Sequence, residues 1–122
     1  MIYIFILMIL CHIIDDFVLQ PVCLSNLKQK HWWEEHCYGK QYKNDYKMAL
    51  FIHSLSWSIM IHLPIIFIIM PVGWLLILSI LINTIIHYIV DDLKANKYKI
   101  NLITDQSIHF IQIILTFIIF II

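Results

Sequence analysis

His12-Ile-Ile-Asp15-Asp16-Phe17-Val18-Leu19-Gln20 closes the first hydrophobic run of the chain, and its reading decides the fold. The spacing puts His12, Asp16 and Gln20 on one helical face, one turn apart. The pattern returns as His87-x3-Asp91 and, reversed, as Asp105-Gln106-x2-His109, each copy at the end of a different apolar segment. Histidine and aspartate beside long apolar runs are costly in a membrane and mark polar interiors or sites there.

The rest of the composition fits a bilayer. Of 122 residues 61% are hydrophobic and 13% charged, and the mean hydropathy is +0.85. A soluble domain of this length cannot bury so much apolar surface. Runs such as 59–70 and 108–122 have the character of membrane spans. The sequence therefore predicts one domain, 1–122: an all-α integral membrane protein with four transmembrane helices in an antiparallel bundle. The expected spans are 2–19, 48–70, 74–90 and 105–122. Pro21 ends the first, Pro64 kinks the second, and Pro71-Val72-Gly73 makes a tight turn. Met1–Ile14 has neither the basic start nor the cleavage site of a signal peptide and reads as a retained helix.

Formal net charge is zero, which implies no nucleic-acid partner. Every basic residue is a lysine: Lys28, Lys30, Lys40, Lys43 and Lys47 follow the first span, and Lys94, Lys97 and Lys99 follow the third. By the positive-inside rule both loops are cytoplasmic and both termini lie outside, which suits the cytoplasmic membrane of a bacterium. The long loop 20–47 mixes lysines with Trp32, Trp33, Tyr38, Tyr42 and Tyr46, the composition of a segment lying on the membrane surface. His31, Glu34, Glu35, His36 and Cys37 within it read as solvated loop residues. Cys11, Cys23 and Cys37 form no C-x2-C pair, so neither a disulfide framework nor a thiolate zinc site is expected.

Orientation gathers the motifs. His12, His53, His87 and His109 fall at one depth near the cytoplasmic ends, with Asp16, Asp91 and Asp105 one turn nearer the surface. Imidazole and carboxylate together suit a divalent ion such as Zn, Mn or Fe. Seven such groups suit two ions, or one ion and a carboxylate left as general base. The expected metal ligands are His12, Asp16, His53, His87, Asp91, Asp105 and His109, with Asp16, Asp91 and Asp105 also candidates for catalysis. Gln20, Lys94 and Gln106 sit at the mouth, where a lipid headgroup or another phosphate-containing or ester substrate meets the site. His62, near Ser58 and Pro64, reads as a hydrogen-bonding residue between helices. Ser79, Asn83, Gln112 and Thr116 extend polar stripes outward from the site.

These motifs carry a resemblance. His12/Asp16/Phe17/Gln20, Lys28, His53, His87/Asp91/Lys94 and Asp105/Gln106/His109 resemble domain-of-unknown-function family 3307, small multi-spanning membrane proteins of bacteria and phages. The resemblance adds Lys28 to the residues that bind at the mouth. The family's pattern is in turn similar to that of bacterial membrane proteins described as metal-dependent hydrolases, which implies metal-dependent hydrolysis at headgroup depth. Two other readings stay open: a proton- or ion-handling or transport subunit, and a structural or regulatory membrane protein, with room for a homo-oligomer, in which the pairs only join helices.

Overall fold

The computed structural model describes residues 1–20, 22–70 and 73–122. Among them there is helix and turn but no strand. Helix α1 (Ile2–Ile13) passes into a π-helical turn, Ile14–Val18, closed by Leu19 N–H donating to Ile14 O at 2.8 Å. Two short helices follow, α2 (Val22–Leu27) and α3 (Lys30–His36), then a 3₁₀ turn, Lys40–Asn44. The long helices are α4 (Asp45–Ile69), α5 (Trp74–Ala95) and α6 (Leu102–Ile121).

Among the described residues three stretches are long and apolar enough to cross a membrane: Lys40–Ile69, Trp74–Ala95 and Leu102–Ile121. The first expected span differs. Its α-helix has 12 residues and the π turn adds five, so regular helix stops at Ile13, short of the expected 19. Helix α5 runs on to Ala95, past the expected end at 90, and α6 starts at Leu102, before 105. Asn101 explains that early start, since its side chain accepts from Thr104 N–H at 2.9 Å and caps the helix. Helix α4 starts at Asp45, whose charge suits a helix N-terminus, and stays helical through Pro64 up to a left-handed Met70. The helix stop at Pro21 and the turn at Pro71-Val72 fall outside the described residues. The loop 20–47 is not extended chain but largely α2, α3 and the 3₁₀ turn.

Helix α4 packs against α1 and α5, and α6 packs against α1 and α5, so the four form a ring. Its apolar core is Ile4, Met8, Trp57, Ile61, Ile65 and Ile113. Most of the isoleucine and leucine points the other way: Ile77, Ile85 and Ile119 are each more than half exposed. Meanwhile Ser79, Asn83, His87, Asp91, Asp105, His109, Gln112 and Thr116 are buried. Apolar outside and polar inside is the arrangement a hydrocarbon solvent selects, because only the interior offers hydrogen-bond partners.

Candidate metal centre

Four histidines meet at one end of the ring. His53 Nε2 lies 3.2 Å from His87 Nε2. The rings of His87 and His109 stack with centroids 4.1 Å apart, and those of His12 and His109 are 6.0 Å apart. Carboxylates stand around them. Asp16 Oδ1 is 3.4 Å from His53 Nε2, Asp91 Oδ1 is 3.7 Å from His87 Nε2, and Asp91 and Asp105 are 3.6 and 3.3 Å from His109 Nε2. Asp16, His53 and His87 offer ligand atoms within 4.8 Å of one another, and so do His87, Asp91 and His109. Two ligands held about 2.0–2.2 Å from one ion lie roughly 3–3.5 Å apart, so these separations are close to those of a shared cation.

Two lysines reach the carboxylates from the surface. Lys28, buried at the junction of α2 and α3, donates to Asp91 Oδ2 at 2.6 Å. Lys94 donates to Asp105 Oδ2 at 2.5 Å. Asn96 pins the junction, accepting from Lys30 N–H at 2.7 Å and donating to Lys28 O at 3.1 Å. Above the cluster is a cavity of about 100 Å³, lined by Gln20, Lys28, Lys94 and Gln106 together with Asp16, His53 and Asp91. All four residues expected at the mouth are there.

Residues 4–122 match the family model described as Protein of unknown function (DUF3307). The chain belongs to that family. No curated protein and no solved structure matches it.

In this DUF3307 member the hydrogen bonds assign the imidazole tautomers. Gln112 Nε2 donates to the backbone carbonyl of Asn83 at 3.1 Å, so its Oε1 is the atom 3.2 Å from His109 Nδ1. His109 Nδ1 must then carry a proton. Its Nε2 has no hydrogen-bond partner and faces the two carboxylates. His12 is different. Trp57 Nε1, a donor only, gives its proton to His12 Nδ1 at 2.7 Å, and His12 Nε2–H donates to Gln106 Oε1 at 3.1 Å. Gln106 Nε2 passes the bonding on to Asp16 at 3.3 Å and Asp105 at 3.1 Å. Both nitrogens of His12, one of the expected metal ligands, are therefore engaged by protein in this structure.

Two residues escape a reading by helical spacing. Asp15 is buried, accepts from Ser56 Oγ at 2.7 Å and faces His53 Nδ1 at 3.7 Å. In a regular helix Asp15 and Asp16 cannot share a face. The wider π turn lets both look inward, and such turns recur at functional sites. Trp57 stacks on His87 with centroids 4.3 Å apart besides donating to His12. The exposed ion pairs Lys30–Glu34 and His31–Glu35 belong to α3 and do not meet the cluster.

Proposed function

We propose that the chain is a four-span integral membrane protein whose His/Asp cluster binds one or two divalent ions, Zn, Mn or Fe, and hydrolyses a substrate at headgroup depth. In this reading α1 with its π turn, α4, α5 and α6 form an antiparallel bundle with the lysine loops cytoplasmic, in the cytoplasmic membrane of a bacterium. Contacts such as His53–His87 with His62–Ser79, and Asp91–His109 with Asn83–Thr116, support the antiparallel reading. In each pair of helices, residue numbers rise along one as they fall along the other.

The observation that carries the metal is His109. Its Nδ1 is held as a donor and its Nε2 is aimed at two carboxylate oxygens, a contact that needs either a proton on that nitrogen or a cation between them. The charge count agrees. Among the described residues the lysines that pair with Asp15, Asp16, Asp91 and Asp105 are Lys28 and Lys94, which leaves two negative charges in excess when the histidines around them are neutral. One divalent ion neutralises them. Asp16, His53 and His87 would hold an ion, as would His87, Asp91 and His109, with Asp105 beside His109. A bound divalent ion supplies Lewis acidity and lowers the pKa of water.

The chain's own groups have separate tasks in this reading. Asp15 turns Nε2 of His53 inward, as carboxylates behind ligating histidines do. Trp57, His12 and Gln106 hold Asp16 and Asp105 in place. One of Asp16, Asp91 and Asp105 takes the proton of the attacking water as general base. Gln20, Lys28, Lys94 and Gln106 contact the phosphate or ester group in the cavity. The protein purified without chelators should retain a divalent metal through dialysis, and His87→Ala and His109→Ala should each lose it. A metal-free wild type whose thermal stability no added divalent ion changes would overturn the reading.

The second reading is a structural one, in which the pairs join helices and His109 is an imidazolium between its two carboxylates. The two lysine–carboxylate bonds favour it, since they neutralise Asp91 and Asp105 without a metal. The transport reading has weaker support. The polar chain beyond His109 runs through the amides of Gln112 and Asn83, and amides do not readily hand protons on.

A further inference from the structure

Trp33 stands between two clefts on the loop that precedes α4, one rimmed by lysines and the other walled by aliphatic side chains. One, of about 420 Å³, is lined by Lys30, Lys40 and Lys43 with Tyr42, and Glu34 is the one acid on it. The other, of about 460 Å³, is walled by Leu24, Leu27, Met48, Ala49 and Ile52, with Asp45 the one charge on it. The dividing ring is fixed: its Nε1 donates to Leu27 O at 2.8 Å, and its face stacks on Tyr42 with centroids 6.2 Å apart. Glu34 pairs with Lys30 at 3.4 Å. Among the described residues Lys40 and Lys43 are exposed and pair with no carboxylate, so the first cleft keeps a surplus of positive charge. The second opens beside the first turns of α4, where Met48 and Ile52 are more than half exposed.

A basic cleft and an apolar cleft that share one wall at the foot of a membrane-spanning helix match the two ends of one molecule. We infer that Trp33 divides a binding site for an anionic phospholipid, with its headgroup phosphate at Lys40 and Lys43 and an acyl chain against Leu24, Leu27, Ala49 and Ile52. A free phosphate has no use for the apolar cleft, and a zwitterionic lipid forgoes most of the attraction of the lysines. The site rests on the membrane placement proposed above and is independent of the metal.

Photo-crosslinking tests it with the full chain in vesicles. Trace phosphatidylglycerol carrying a diazirine in its acyl chain should label 24–27 and 48–52 at least about fivefold more than the matched phosphatidylcholine probe, the ratio expected from about one lysine's surface attraction. Lys40→Gln/Lys43→Gln should bring the two probes level, and Lys97→Gln/Lys99→Gln should leave the difference intact. Ala49→Trp, which fills the apolar cleft, should reduce labelling there by both probes. Inorganic phosphate at constant ionic strength should not compete. Equal labelling by both probes in wild type, equal loss in the two lysine pairs, or displacement by phosphate would overturn the inference. Absence of any label at 48–52 would overturn the membrane placement with it, while the metal content of the same sample reports on the centre separately.

Discussion

Helices α4, α5 and α6 carry two buried polar clusters, the inner one joined by the π turn after α1, and the two are bonded very differently. In the outer one, His62 donates from Nδ1 to Ser58 O at 2.7 Å and accepts at Nε2 from Ser79 Oγ at 2.9 Å. Asn83 joins Ser79 O at 3.1 Å and Thr116 at 3.0 Å, and receives Gln112 at 3.0 Å. In the inner one, the described residues leave Asp15 Oδ2, Asp16 Oδ1, His87 Nδ1, Asp105 Oδ1 and His109 Nε2 without partners. Buried polar atoms are normally satisfied, and those that are not call for a missing partner. The outer cluster is complete as it stands and holds helices together. The inner one keeps open ligand atoms that could hold a cation.

Lys28→Met attacks the inner cluster hardest. It leaves the Asp91 carboxylate buried without its ammonium, which destabilises the metal-free protein by about 3–5 kcal/mol. A divalent ion should restore most of that loss, as read by denaturation with and without metal. A deficit that metal does not touch would mean that no ion reaches Asp91, and the contrast between the clusters would shrink to one of geometry.

Next in size is the metal's own contribution. At a free concentration a hundred times its Kd, a divalent ion should stabilise wild type by about 2.7 kcal/mol. His109→Ala should abolish that increment, with metal content falling to background by elemental analysis. If the alanine variant keeps both, the ion is held without His109; if wild type itself gains nothing from metal, the second reading stands.

Gln112→Leu tests the seam between the clusters, because Gln112 belongs to the outer network and fixes the His109 tautomer. Losing its bonds to Asn83 should cost about 1–3 kcal/mol in thermal denaturation. Metal affinity should fall roughly 10- to 100-fold, as when the partner behind a ligating imidazole is removed. Stability loss with unchanged affinity would separate the clusters completely.

The smallest effect belongs to His62→Ala, which removes one hydrogen bond between helices. The expected loss is about 0.6 kcal/mol, the average for such bonds in membranes. Metal content should stay at the wild-type level, and a drop would show that the outer cluster also shapes the site.

The sequence carried the depth of the site better than the roles within it. His53, His87 and His109 converge with Asp91 and Asp105 because one-turn spacing at helix ends survives folding, and Asp16 joins them from the π turn. Lys94 was legible for the same reason and His62 from its place near Ser58 and Pro64, while Gln20 reaches the cavity from a bend beyond the π turn. The role of His12 was not, because it depends on Trp57, whose apolar body hides a donor from any count of polar residues. Lys28 was visible only through the family resemblance, since a short helix in an amphipathic loop gives no register from which to place its side chain. The lysine also alters what an aspartate substitution reports. Asp91→Asn leaves a buried ammonium unpaired, so Asp16→Asn, with no lysine attached, is the cleaner probe of the metal.

The π turn at Ile14–Val18 makes the length of the chain, and not only its composition, a determinant of the site. Such a turn holds one residue more than regular helix would. Removing Ile13 or Ile14 lets the helix relax to α periodicity without deleting any polar group. Asp15 and Asp16 then no longer fit on one face, and the carboxylate behind His53 swings away while Asp16 stays. A one-residue deletion among isoleucines thus separates the two aspartates, which no substitution at either position does. Shortened by that residue, the helix should still insert, and hold its ion more loosely.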